Sequence, residues 1–280
     1  MSVWFVTGAS KGFGAQIIRE ALARGEQAVA TARNPQAVHD AFPDAGDALL
    51  VAPLDVADQA QVRAAVDAGM EQFGRIDVLV NNAGRGLLGA VEEADDAEVR
   101  AIFETNVFGL LAVTLAVLPI MRRQRSGRIF NLSSVGGIAG GVGWGIYGGT
   151  KYAVEGISEA LRRELAPLGV QVTIVEPGVF RTDFLDGSSL HAAKAVLSDY
   201  APTVGPVRNR ATSANHQQPG DPAKAAKVIV DVAEAAEQPV RLQLGADCVA
   251  RVEERLAAIH AELDAWRDVA VSTAFDDARA

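Results

Sequence analysis

The stretch "VWFVTGASKGFGAQIIREALARG", Val3 to Gly25, decides the fold. "VWFVT" is a short apolar run with the β-branched and aromatic residues of a buried strand. "GAQIIREALARG" reads as a helix. Between them lie glycines at 8, 12 and 14. Lacking a Cβ, they let the backbone approach a ligand closely. The helix that starts there points free N–H groups and its positive dipole end at the turn, a place for a pyrophosphate. The spacing is G-x3-G-x-G, not the commoner G-x-G-x-x-G. A tight structural turn explains a glycine run alone equally well. Its place between the first strand and first helix of a βαβ unit favours a nucleotide, with Gly8, Ser10, Lys11, Gly12, Phe13 and Gly14 as candidate contacts.

Outward from this stretch the same alternation repeats. Strands are expected in "QAVATA", "ALLVAPLDV", "IDVLVNNAG", "GRIFNLSS", "VQVTIVEPG" and "VRLQLG". Helices are expected in "QVRAAVDAGMEQFG", in the long "DAEVRAIFETNVFGLLAVTLAVLPIMRRQ", from Tyr147 onward, in "DPAKAAKVIVDVAEAAE", and from about Asp247 to Asp268. Strand–helix alternation implies right-handed crossovers and a parallel sheet. Nearly all-apolar strands imply helices on both faces. The expected fold is α/β, a Rossmann-like doubly wound parallel sheet of about seven strands. One domain is expected over 1–280, with an irregular insertion at about 180–220, a length typical of lids and binding loops.

Composition narrows the function. Hydrophobic residues make up 49% and charged residues 22% of the 280, so a large core is expected and disorder is not. A net charge of −9 argues against a nucleic-acid partner. Cys248 is the single cysteine, which excludes an intrachain disulfide and fits a reducing compartment. The N-terminus lacks the features of a signal peptide. The longest apolar run, Val107 to Met121, is broken by Thr114 and Pro119 and is shorter than the ~20 residues of a membrane span. A cytoplasmic protein with no membrane partner and no metal is expected.

The end of the second strand should border an adenine ribose. An acidic residue there would hold the 2′-hydroxyl of NAD. Here Ala32 is followed by Arg33, and Lys11 lies at the same corner. An arginine pairs a phosphate through two parallel hydrogen bonds. Both could equally be solvated cations; the missing acid favours a 2′-phosphate. Further on, "YGGTK" places Tyr147 and Lys151 on one helical face. A cation within about 4–6 Å favours an ionised phenol and makes it a usable acid or base near neutral pH. Gly148 and Gly149 are expected to leave room for a flat ligand. Alone, Y-x-x-x-K is a chance pattern, but Ser134 and "NNAG" (Asn81 to Gly84) end neighbouring strands at the same sheet edge.

Taken in order, "TGASKGFG", "LDV" at 54–56, "NNAG", Asn106 in "ETNVFG", Ser134, "YGGTK" and "EPGVFRT" at 176–182 resemble the short-chain dehydrogenase/reductase family, in its compact single-domain branch. The resemblance runs from about Val3 to Thr182. It implies an NAD(P)-dependent oxidoreductase acting on CH–OH or C=O groups. Tyr147 would be the general acid/base, Lys151 would hold the nicotinamide ribose and tune the phenol, and Ser134 would bond the substrate oxygen. Asn106 would hold a water linking the lysine to solvent. Asp55 and Val56 match the adenine contact. Asn82, Ala83 and Gly84 match the segment against the cofactor, and Pro177, Gly178, Val179 and Thr182 match the carboxamide loop. Arg33 and Lys11 match members that prefer NADP(H), with NAD(H) also possible. Arg85 is expected near the substrate mouth, and Trp144, Phe180 and Phe184 around an apolar substrate portion. The family also implies a homodimer or homotetramer, paired through the helices near 97–123 and 147–167.

The expected function is therefore NADPH-dependent reduction of a small-molecule carbonyl, reversible as alcohol oxidation. An NAD-linked dehydrogenase of the same fold and a catalytically silent NADP-binding regulator are the alternatives.

Overall fold

The computed structural model describes residues 1–275; residues 276–280 of the expected domain lie outside the described residues. Seven strands form one sheet: β1 (Val3–Thr7), β2 (Gln27–Ala32), β3 (Leu49–Pro53), β4 (Val78–Asn81), β6 (Gly127–Leu132), β7 (Val170–Pro177) and β9 (Arg241–Leu244). Their order is β3-β2-β1-β4-β6-β7-β9, and every neighbouring pair is parallel. The direction of winding reverses between β1 and β4. Open α/β sheets bind ligands at the carboxyl edge beside such a reversal.

Period-two alternation along β1 sends side chains to two cores. Trp4 and Val6 pack with Ile17 and Ile18 of α1 (Gly12–Ala23) and with Ile229 and Val230 of α8 (Pro222–Glu234). Val3 and Phe5 pack on the other face with Val62 and Val66 of α3 (Gln59–Phe73) and with Val113 and Val117 of α5 (Leu110–Gln124). All these side chains are buried. Each contributes roughly 1.5–3 kcal/mol relative to exposure. A polar staple crosses the second layer. Asn81 Nδ2 donates to Thr114 Oγ1 (2.9 Å) and Asn131 Oδ1 (2.8 Å), and Asn131 Nδ2 donates to Ser158 Oγ (2.8 Å). This ties β4 and β6 to α5 and to α6 (Gly145–Leu165).

The expected long helix is interrupted. α4 (Asp96–Phe103) opens with reciprocal capping between Asp95 and Glu98. A π-helical stretch, Glu104–Gly109, then precedes α5. Helical structure thus runs from Asp96 to Gln124, and an 18-residue window of it has mean hydropathy 1.9. These are the bounds of the long helix expected from the sequence, and by length and composition it could cross a membrane. Its inner face, including Ile102, Val107 and Met121, is buried on the sheet, as in a core helix. A short helix α2 (Pro35–Ala41) completes the first half.

The 180–220 excursion is more regular than expected. Strand β8 (Leu190–Ala192) pairs in parallel with β5 (Gly86–Leu88), and α7 (Val204–Ser213) follows. Glu93 anchors it: its carboxylate accepts from Leu197 N (2.9 Å) and pairs with Arg208. Helix α9 (Ala246–Val271) ends the described chain.

Candidate active site

A cleft of about 470 Å³ opens at the carboxyl edge, above the β1/β4 reversal. The glycine turn forms one wall. Gly8 takes φ +66°, a conformation that L side chains rarely adopt. Asn82 Nδ2 donates to the carbonyls of Thr7 (2.8 Å) and Gly8 (3.0 Å). Thr7 Oγ1 accepts in return from Asn82 N (3.0 Å) and Ala83 N (2.9 Å), so turn and "NNAG" are one rigid unit. Lys11 is the N-cap residue of α1 but gives no side-chain cap, and the first turn holds no acid. The orphan N–H groups and the positive helix end are therefore free to meet an anion.

Most expected cofactor residues line this cleft: Gly8, Ser10, Lys11, Gly12, Phe13, Arg33, Asp55, Val56, Asn82, Ala83, Gly84 and Thr182. Gly14 does not. A Cβ there would strike the Gly8 carbonyl, so Gly14 serves the packing of helix on turn. Pro177, Gly178 and Val179 also stand off the cleft. Gly178 N donates to Leu244 O (2.9 Å) and Val179 N to Asp247 Oδ2 (2.8 Å), which braces that segment against the start of α9.

Tyr147 and Lys151 share one face at the start of α6. Lys151 Nζ lies 5.7 Å from the Tyr147 ring centroid and donates to Leu132 O (2.7 Å) at the end of β6. Ser134 Oγ and the edge of the Tyr147 ring both border Gly136, and Ser134 Oγ accepts from Gly136 N (3.1 Å). Trp144 (5.8 Å between centroids) and Phe184 (5.5 Å) pack on the Tyr147 ring. The two glycines of "YGGTK" do not face the ligand side, contrary to the sequence expectation. Gly148 sits 3.1 Å, at its would-be Cβ, from the Gly136 carbonyl, and Gly149 is turned to Phe103. Gly148 lets the Ser134 turn pack closely on the helix start.

The electrostatics also depart from expectation. Burial pushes the Tyr147 phenol up to about 12, and the Ser134 hydrogen bond opposes this only in part. Burial brings the Lys151 amine down to about 8, with Glu155 acting the other way. Lys151 is thus a buried amine held by a carbonyl, and desolvation dominates the phenol beside it.

Asn106 sits in the π stretch, a rare geometry often found at functional sites. Its Nδ2 donates to Arg85 O (2.9 Å) and Thr150 Oγ1 (3.0 Å), and its Oδ1 accepts from Arg85 N (2.8 Å). The side-chain amide therefore braces the "NNAG" segment and α6.

One expected substrate residue lies elsewhere. Phe180 packs on Phe13 (5.1 Å) and Gly220, half-buried against the first core. Arg85 stands on the cleft wall toward Arg33: burial lowers its guanidinium pKa, and the Arg33 charge adds to this. His191 joins the same wall, its pKa lowered by burial and then by Arg85 and Arg33. Neither His191 nor Ser188, which accepts from Lys11 Nζ across the cleft, was marked by any motif. Both belong to the 180–220 excursion, where only three-dimensional closure reveals them.

Behind Lys151 lies a buried acidic pair. Arg241 Nε meets Glu155 Oε2 at 3.1 Å and Glu176 Oε1 at 3.2 Å, and Gln243 Nε2 donates to Glu176 Oε2 (2.9 Å). Burial, then repulsion from Glu155, raises Glu176 to about 7.

With this geometry in hand, similarity is unambiguous. The sequence pattern of the short chain dehydrogenases matches residues 2–192. Oxidoreductase BOA17 of Botryotinia fuckeliana (strain B05.10) is 38% identical over 273 residues, covering 97% of this chain and 99% of that one. The crystal structure of a short-chain dehydrogenase from Streptomyces avermitilis superposes with TM-score 0.91 at 40% identity, covering 98% of this chain and 100% of that one. The closed form of serine dehydrogenase complexed with NADP+ gives TM-score 0.74 at 28% identity, covering 86% and 94%.

Proposed function

Because the chain belongs to the short-chain dehydrogenases, we propose that it is an NADPH-dependent carbonyl reductase that also runs in reverse as an alcohol dehydrogenase. One observation carries this: Ser134, Tyr147 and Lys151 meet at the carboxyl edge of the sheet, beside a glycine-walled cleft. The cleft fits a dinucleotide. Its volume lies in the usual range for ligand sites, and α1 presents an uncapped N-terminus to it. Asp55 and Val56 would hold the adenine, Arg33 and Lys11 a 2′-phosphate, and Lys151 the nicotinamide ribose. When bound, the nicotinamide supplies a hydride to a carbonyl carbon or takes one from a carbinol carbon.

The chain's own residues handle the oxygen. Ser134 donates to the carbonyl oxygen and orients it. Tyr147, protonated at neutral pH because burial holds its pKa high, gives that oxygen its proton. In the reverse direction the phenol must first ionise, so oxidation favours alkaline conditions. The Lys151 ammonium favours that ionised phenol. Trp144 and Phe184 offer an apolar wall to the substrate. Phe108 in the π stretch, Leu115 on α5 and Tyr152 on α6 are exposed apolar side chains. They fit the homodimer or homotetramer that the family resemblance implies.

Cofactor choice tests the proposal. Hydrogen bonds to charged groups contribute about 1.5–3 kcal/mol, so Arg33 should favour NADPH over NADH by roughly tenfold to a hundredfold in kcat/KM. The likeness to an NADP+-bound serine dehydrogenase supports this direction. Ala32→Asp with Arg33→Ile should shift the preference to NADH. An unaltered protein that prefers NADH overturns the cofactor assignment.

A further inference from the structure

Helix α9 leaves the body of the protein. It has 26 residues, so it is about 39 Å long, yet only Cys248 and Val252 are buried in it. Its base is anchored: Asp247 accepts from Val179 N, and Arg251 Nη2 donates to Ala139 O (3.2 Å) and Gly140 O (3.0 Å). Beyond Val252 no residue of the helix is buried.

The helix nonetheless carries large apolar side chains in one register, from Val249 and the buried Val252 at its base outward along the projecting part. Val249, Val252, Leu256, Ile259, Leu263 and Trp266 are spaced three, four, three, four and three apart. This is the a/d seam of a two-stranded coiled coil. Leu256, Ile259, Leu263 and Trp266 are between 42% and 66% exposed. A solitary helix gains nothing from such a stripe in water; a partner helix would bury it.

The charges beside the seam select the partner. Arg255 and Glu262 lie on one flank, Glu253 and His260 on the other. A second copy laid antiparallel, with a two-fold axis between Ala257 and Ala258, sets Val249 against Trp266 and Leu256 against Ile259. The same register sets Arg255 opposite Glu262 and Glu253 opposite His260, each contact twice. No like charges meet. The stripe is therefore complementary to itself. A lipid surface fits worse, because α9 holds six acidic side chains against three arginines, and surface-lying helices are typically rich in Lys and Arg.

We propose that α9 is a self-association element, pairing antiparallel with α9 of a second copy through the Val249–Trp266 seam. It is separate from the α5 and α6 faces, so it joins whatever units those faces form.

The test is the solution mass of the full chain by light scattering coupled to size exclusion. Wild type should have the mass of at least two chains, and Leu256→Glu with Ile259→Glu should halve it while circular dichroism stays unchanged. Arg255→Glu should weaken association, and adding Glu262→Arg should restore it, because the swap rebuilds the same pair with signs reversed. A wild-type mass equal to that of the Leu256/Ile259 variant overturns the proposal. So does failure of the charge swap to restore association. Flotation of wild type with anionic phosphatidylserine vesicles, lost in the Leu256/Ile259 variant without any change of mass, would assign the seam to lipid instead.

Discussion

Lys151 sits where two demands conflict. Its amine must be near Tyr147 to help the phenol ionise, yet burial lowers its own pKa to about 8. The carbonyl of Leu132 holds it in place. Replacing it by methionine removes the cation but keeps a side chain of similar length. Lys151→Met should therefore lower alcohol oxidation and move its pH optimum upward, since the phenol loses the charge that favours ionisation. A pH–rate profile across the alkaline range measures this; lower activity with an unmoved profile would contradict the tuning role. At this scale the sequence was most informative about residues whose chemistry is carried by type and spacing. Tyr147, Lys151 and Ser134 lie together as the motifs imply. Gly148 and Gly14 meet neighbouring backbone, and sequence cannot separate this from a ligand contact because a missing Cβ looks the same in both cases. The two hydrogen bonds between the Arg85 backbone and the Asn106 side chain, which fix Arg85 on the cleft wall, are disclosed by no spacing.

Arg241 of β9 joins α6, through Glu155 and Glu159, to β7 through Glu176. With one cation among three carboxylates, Glu176 retains a proton up to about pH 7, whereas the unfolded chain releases it near the model-peptide value of 4.5. The folded pKa is raised, so its stabilising contribution is fully present below about 4.5 and is lost as pH rises through about 7. Glu176→Gln cannot titrate. The difference in Tm between Glu176→Gln and wild type should therefore grow in the variant's favour from about pH 5 to pH 8. A difference that is flat with pH would contradict the raised pKa. Elements with strong apolar periodicity, such as β1, α1 and α8, were legible from sequence. Strand β8 and helix α7 were not. β8 spans three residues, and α7 contains Gly205 and Pro206 with only Val204 and Ala211 buried. Both are held by partners distant in sequence, Gly86–Leu88 and Glu93. The π stretch was hidden because its residues suit an ordinary helix equally well.

The whole molecule brings three distant segments to one sheet edge. The glycine turn after β1 and the "NNAG" segment after β4 are locked by Asn82 and Thr7. The Ser134 turn after β6 packs on Tyr147, and the 180–220 excursion closes from above through Phe184 and Ser188. The order of motifs in the chain foretold the sheet, but not the closure, nor that α9 would project with its seam exposed. The apolar pattern of α9 would suit a core helix as well, and only the fold shows which it is. The central claim is that this edge binds NADPH and that Tyr147 then gives a proton to the substrate oxygen. The most direct measurement follows Tyr147→Phe by NADPH titration and by NADPH oxidation with a carbonyl substrate that wild type reduces. NADPH affinity should change little, and turnover should fall by at least the 10²–10⁴-fold typical of a general acid. Turnover near the wild-type rate, with NADPH still bound, would contradict the account.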